Sequence, residues 1–289
     1  MKREFGIEEG KAFATGLLHG LEVVADYMKA CYPVISEAEG KPDSGYRTSC
    51  MKRLWIRAYL WMNTLRRLTD PLDFQAIAVG NRTLLEILVD LILLQSDKTH
   101  ESAAKMFWWG ESEKLQASEQ IFNFFNGRVP DEFEAQRIFY TARKSEIETM
   151  RKTWWPDKDP TQHPKRWTGR RSLFKDIGQA DEICNPEICA EIGSTISEYF
   201  QTQYRKMNWQ IHSGVVSLGD QPPETFYLTV GFAFRRCADF AMLCTRIMLS
   251  DFDIDMAVQG TEYEWNRVRR KQDSAFVAAL YNFHSQQIA

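Results

Sequence analysis

The residues best suited to chemistry are an arginine and a histidine seven positions apart, Arg205 and His212, with Asn208 between them. On a helix, seven residues make two turns less about 20°, so both side chains project almost in line, about 10 Å apart along the axis. Asn208 falls near the same face. This geometry suits a phosphate lying between the two groups: a guanidinium holds two oxygens in a fork, and an imidazole passes a proton near neutral pH. If His212 deprotonates a ribose 2′-hydroxyl or protonates the leaving oxygen, while Arg205 stabilises the charge developing on phosphorus, RNA is cleaved. That scheme needs no metal. The competing reading makes His212 a structural, hydrogen-bonded core residue.

A second polar set lies earlier in the chain. Arg82, Glu86 and Asp90 recur at i, i+4 and i+8, so they share one helix face, drifting about 40° per step. Either they brace a neighbouring helix through ion pairs, which offset the cost of burying charge, or Arg82 and Glu86 orient catalytic side chains on a facing helix. A nucleotide or small-ligand site lined by Arg82, Glu86 and Arg205 is a further possibility.

The densest positive stretch runs from Lys165 to Lys175: Lys165, Arg166, Arg170, Arg171 and Lys175 accompany Trp167, with no acidic residue among them. Its guanidinium groups suit phosphates and its indole suits a base, which makes Lys165, Arg166, Trp167, Arg170 and Arg171 candidate RNA contacts. The alternative is a solvated loop whose Trp167 plugs the protein interior.

These residues must be positioned by helices. Apolar residues recur at three- and four-residue intervals almost throughout, without sustained alternation, which predicts an all-α helical bundle. The expected helices span 7–33, 47–69, 72–96, 98–126, 130–153, 171–178, 187–214, 224–250 and 261–284. Residues 1–70 read as an N-terminal helical hairpin packed on a main helical domain, 71–289, with Asp70-Pro71 as N-cap and first helical residue. The segment from Leu72 to Leu94 is apolar on nearly every face, the pattern of a central, enclosed helix.

Bulk properties narrow the partners. A hydrophobic fraction of 44% with 18 Phe and 9 Trp excludes a disordered or low-complexity chain. The net charge of −3 excludes a global pull toward polyanions, so any RNA site is local, and no DNA partner is expected. The opening MKREFGIEEG resembles neither a secretory signal nor a transit peptide, and the apolar stretches carry charges unsuited to a membrane span; a cytoplasmic protein is expected. Cys184 and Cys189 lack a second Cys or His pair at zinc spacing, so no metal or cofactor is expected.

The arrangement of Arg205, six residues and His212 on a late helix of an all-α protein resembles the active-site motif of the HEPN ribonuclease superfamily, although Lys206 stands where that motif commonly has Asn, Asp or His. The resemblance implies RNA cleavage with His212 and Arg205 as the central pair, supported by Asn208, Arg82 and Glu86. It also implies a homodimer with the site where two protomers meet, and a role in phage defence or toxicity. From about residue 70 to 250 the chain also looks like a bacterial family of helical proteins known only as a domain of unknown function, through Asn-Arg-Thr-Leu-Leu-Glu at 81–86, Arg-Trp-Thr-Gly-Arg-Arg-Ser at 166–172, and Tyr204 ahead of His212. That likeness implies that Arg82, Glu86 and His212 belong to one region, with Asp90 and Tyr204 supporting them. A non-catalytic helical interaction module is the alternative function.

Overall fold

A computed structural model of the chain describes residues 6–38, 45–68, 73–99, 101–157, 164–170, 172–184, 194–204, 207, 223–254, 267, 270, 271 and 274. Among these residues the architecture is all-α, a helical bundle without strands. Its helices are α1 (Ile7–Glu37), α2 (Gly45–Leu65), α3 (Phe74–Ser96), α4 (Glu101–Phe124), α5 (Asp131–Trp154), α6 (Leu173–Ile183), α7 (Ile196–Tyr199) and α8 (Pro223–Asp251).

α1 forms because Phe13, Leu17, Leu21, Val24, Met28, Cys31 and Ile35 repeat at intervals of three and four and bury one stripe. At its start Glu9 accepts the free backbone N–H of Gly6 at 3.1 Å. The sequence predicts an end at residue 33, yet the helix runs through Pro33 to Glu37. Proline removes one backbone donor, while burial of Ile35 on the next turn favours continuation.

The core joins α1, α2, α3 and α8 in one apolar cluster. α1 lies most extensively along α8, where Gly231 permits the approach: a Cβ there would meet Phe13 ring carbons at 2.7 Å. α3 is enclosed as its pattern predicts, with Phe74, Ile77, Leu84, Leu88, Leu91 and Leu94 all buried.

Two buried polar links fix the registry of these helices. Asn81 of α3 donates to the Ala233 carbonyl of α8 at 3.2 Å and accepts the Tyr199 hydroxyl of α7. Arg47 of α2 grips Asp251 of α8 with two nitrogens, at 2.9 and 2.5 Å, and reaches the carbonyls of Leu94 and Gln95 at the end of α3. The fork satisfies both carboxylate oxygens and helix-end acceptors that otherwise lack partners.

α5 stands apart from this core. It lies along α4, where Tyr140 and Ile147 meet Trp108 and Leu115 in a separate small cluster, flanked by an Arg143–Glu111 ion pair at 2.5 Å.

The expected helix over 187–214 is corrected. Among the described residues it starts at Ile196, because Thr195 Oγ1 accepts Glu198 N–H at 3.0 Å and the Asp181 carboxylate accepts the N–H groups of Ile196 and Ser197 at 2.8 Å. These bonds satisfy the first free donors of a helix, so a start forms there. After one α-helical turn the backbone widens into a π turn at Phe200–Tyr204. Residues 187–193 and 208–214 lie outside the described residues, as does most of the expected 261–284 helix.

Candidate functional site

The polar face of α3 is the floor of the site. Arg82 Nε donates to Glu86 Oε1 at 3.0 Å, one turn apart as their spacing predicts. Tyr204, at the end of the π turn, donates its hydroxyl to the same Glu86 oxygen at 2.9 Å, while the Arg82 guanidinium sits 5.5 Å from the Tyr204 ring centre. Glu86 is therefore a shared acceptor between two helices, and Arg82 stacks its charge over the ring that approaches it. Burial, with the neighbouring Glu86 carboxylate, pushes the Tyr204 phenol well above its ordinary range and keeps it a neutral donor. The Arg82 and Glu86 side chains remain 37% and 30% exposed, so this face reaches water.

One turn further on, the stripe changes character. Asp90 Oδ1 accepts from Arg166 Nη2 at 2.6 Å and from the Trp167 indole at 2.8 Å. Arg166 turns its Nε to Asp176 of α6 at 2.8 Å, and Arg170 reaches the other Asp176 oxygen at 3.3 Å. The Asp176 side chain is 0% exposed, so two guanidinium groups balance a fully buried carboxylate. Burial, the largest influence on Asp90, pushes its carboxyl up to about 6 against the opposing pull of Arg166 and Trp167.

The same bonds pin the 164–170 loop to the bundle. Trp109 donates to the Pro164 carbonyl at 2.7 Å, and Gly169 N–H closes a turn on the Arg166 carbonyl at 2.9 Å. Gly169 takes φ +76°, a left-handed conformation open to glycine, and an added Cβ would press on Trp155 at 3.0 Å.

The structure thus brings Arg82, Glu86 and Tyr204 together and sets Asp90 beside them on α3, joined to Arg166 and Trp167. Of the candidate RNA contacts, Lys165 is exposed, Arg166 is held by Asp90 and Asp176, Arg170 by Asp176, and Trp167 is 4% exposed with its N–H engaged. Arg205, Asn208, His212 and Arg171 lie outside the described residues.

Asp176 was missed by reading sequence alone, although the acid-free run of 165–175 stops directly before it. Asn81 and Tyr199 were also missed; a polar residue inside the apolar α3 pattern was the available signal. Among the described residues no group of three or more His, Cys, Asp or Glu could hold a metal ion, and no helix is long and apolar enough to cross a membrane. Comparison of the chain with protein-family models, curated proteins and solved structures finds no match.

Proposed function

We propose that this protein is a HEPN-type endoribonuclease that cleaves RNA without a metal, using the water-accessible face of α3 to which Tyr204 is bonded. The observation that carries this reading is the Tyr204–Glu86 hydrogen bond at 2.9 Å: it docks the residue preceding Arg205 in the chain onto the polar stripe of α3. Arg205 follows Tyr204 directly in the sequence, which is why the proposal assigns Arg82 and Glu86 to the same reaction as the Arg205–His212 motif.

In this scheme His212 takes the proton of a ribose 2′-hydroxyl, the 2′-oxygen bonds to phosphorus, and the bond to the 5′-oxygen breaks with that oxygen receiving a proton. Arg205 holds two phosphate oxygens and stabilises the charge on phosphorus, with Asn208 beside it. Arg82 and Glu86 act by positioning, through Tyr204. A homodimer that joins two such faces, and a part in phage defence or toxicity, belong to the same proposal.

The test is RNA cleavage by the purified chain beside His212→Ala and Arg205→Ala at matched fold content. Both substitutions should abolish cleavage with little loss of stability. Unchanged cleavage in both removes the assignment.

A second reading, a non-catalytic interaction module, draws on the α4–α5 hairpin, where Phe124, Ile138 and Phe139 are 80%, 57% and 49% exposed. Under it His212→Ala lowers stability by about 1–3 kcal/mol through an unpaired buried partner, and no cleavage is seen in any variant.

A further inference from the structure

Beyond the α3 face, a cleft of about 420 Å³ opens where the end of α3, the start of α4, the pinned loop and α6 converge. Its walls carry Lys98 from the turn after α3, Lys105 from α4 and Arg170 from the loop. Three cations from three elements line it, in a chain whose net charge is −3.

The one lining carboxylate, Asp97, is already committed. It accepts Thr99 N–H at 2.9 Å, Thr99 Oγ1–H at 2.7 Å and Ser102 N–H at 2.6 Å, which caps the entry to α4. Burial opposes its charge, yet these bonds outweigh burial and hold the carboxyl near 2. Asp97 therefore shapes the cleft as a cap, while Arg170 leans on Asp176 at 3.3 Å and Lys105 stands 4.0 Å from Glu101, so an incoming anion shares these two cations with protein carboxylates and meets Lys98 at the exposed rim.

The wall is preorganised. Arg170 Nη1 is bonded to the Lys175 carbonyl at 3.1 Å and to Asp176, and the loop that carries it is anchored through Trp167 and Arg166 to Asp90. A guanidinium held in place before a ligand arrives loses little freedom on binding. Leu93, Ile183 and Trp167 add apolar surface to the same cleft. Its volume lies in the usual range of small-molecule sites, roughly 300–1,000 Å³, and exceeds what a bare oxyanion fills.

We infer that this cleft binds a phosphorylated small molecule of nucleotide size, its phosphate held by Lys98, Lys105 and Arg170 and its organic part lying against the apolar wall. The site is separate from the proposed RNA-cleaving face and does not depend on it.

Calorimetric titration of the full chain with AMP, ribose 5-phosphate and adenosine tests this. AMP or ribose 5-phosphate should bind with Kd of about 100 µM or tighter, and adenosine at least tenfold more weakly, in rough keeping with one charge-assisted contact. Lys98→Gln and Lys105→Gln, both at solvent-reaching positions, should each weaken binding by about fivefold or more, and raising the salt concentration should weaken it further. His212→Ala should bind as the unaltered chain does, so loss of RNA cleavage and loss of this site are separate results. Absence of phosphorylated-probe binding below about 1 mM, equal binding of adenosine, or unchanged affinity in both lysine variants overturns the inference.

Discussion

Trp167 donates its indole N–H to Asp90 at 2.8 Å, tying a loop 77 residues later in the chain to the middle of the central helix. Arg166 takes the same carboxylate oxygen, so one acidic side chain on α3 fixes two neighbouring residues of the loop.

Asp90→Ala leaves the buried Trp167 indole N–H without its acceptor, while Arg166 loses one of its two carboxylate partners and keeps Asp176. Leaving a buried donor unsatisfied costs about 1–3 kcal/mol, and urea unfolding should show a loss of that order. A loss under about 1 kcal/mol would mean the loop is held by other contacts.

Asp90 also sets a pH dependence whose sign is fixed. Its carboxyl is pushed up to about 6 in the folded chain, from an ordinary 3.8, so between these values the folded state binds more proton than the unfolded state. The contribution of Asp90 to stability is therefore fully present below about 4 and is lost as pH rises through about 6. Relative to Asp90→Asn, the unaltered chain should lose roughly 1–3 kcal/mol between pH 4 and pH 7. Parallel stability curves for the two proteins across that window would contradict it.

Much of this arrangement could be read in advance, and the missing part has a physical reason. The spacing of Arg82, Glu86 and Asp90 placed them on one face because helix periodicity is local. Their partners, Tyr204, Arg166 and Trp167, come from segments 76 to 118 residues away, and no periodicity encodes such pairings. The expected late helix is interrupted at residues 194–195, where the apolar spacing continues, and Thr195 with Glu198 three residues on, an N-cap threonine and its glutamate, marks the helix start at Ile196. The expected end of the first helix at residue 33 falls short of the observed one at Glu37, since burial of Ile35 outweighs one lost backbone bond.

Gly169 tests the loop geometry independently of charge. Alanine there must adopt φ +76° and press its Cβ on the Trp155 ring at 3.0 Å. Gly169→Ala should destabilise the protein by about 1–2 kcal/mol, read as a fall in Tm, whereas a neutral result would show that loop and ring shift freely.

Tyr204→Phe removes the hydroxyl bonded to Glu86 and keeps the ring under Arg82. Stability should fall by only about 0.5–1.5 kcal/mol, the net worth of one hydrogen bond. Under the proposed function, RNA cleavage should drop further than stability, by about tenfold or more, because a small misplacement of Arg205 is costly to reactivity. Full cleavage in this variant would detach the α3 stripe from the reaction.

The separate Trp108–Leu115–Tyr140–Ile147 cluster has a bearing on how the chain comes apart. Because α5 leans chiefly on α4, its detachment exposes four buried apolar side chains and leaves the α1–α2–α3–α8 interior intact. Amide hydrogens of α5 should then exchange with solvent through partial opening, well before those of α3, whose release requires the whole molecule to unfold.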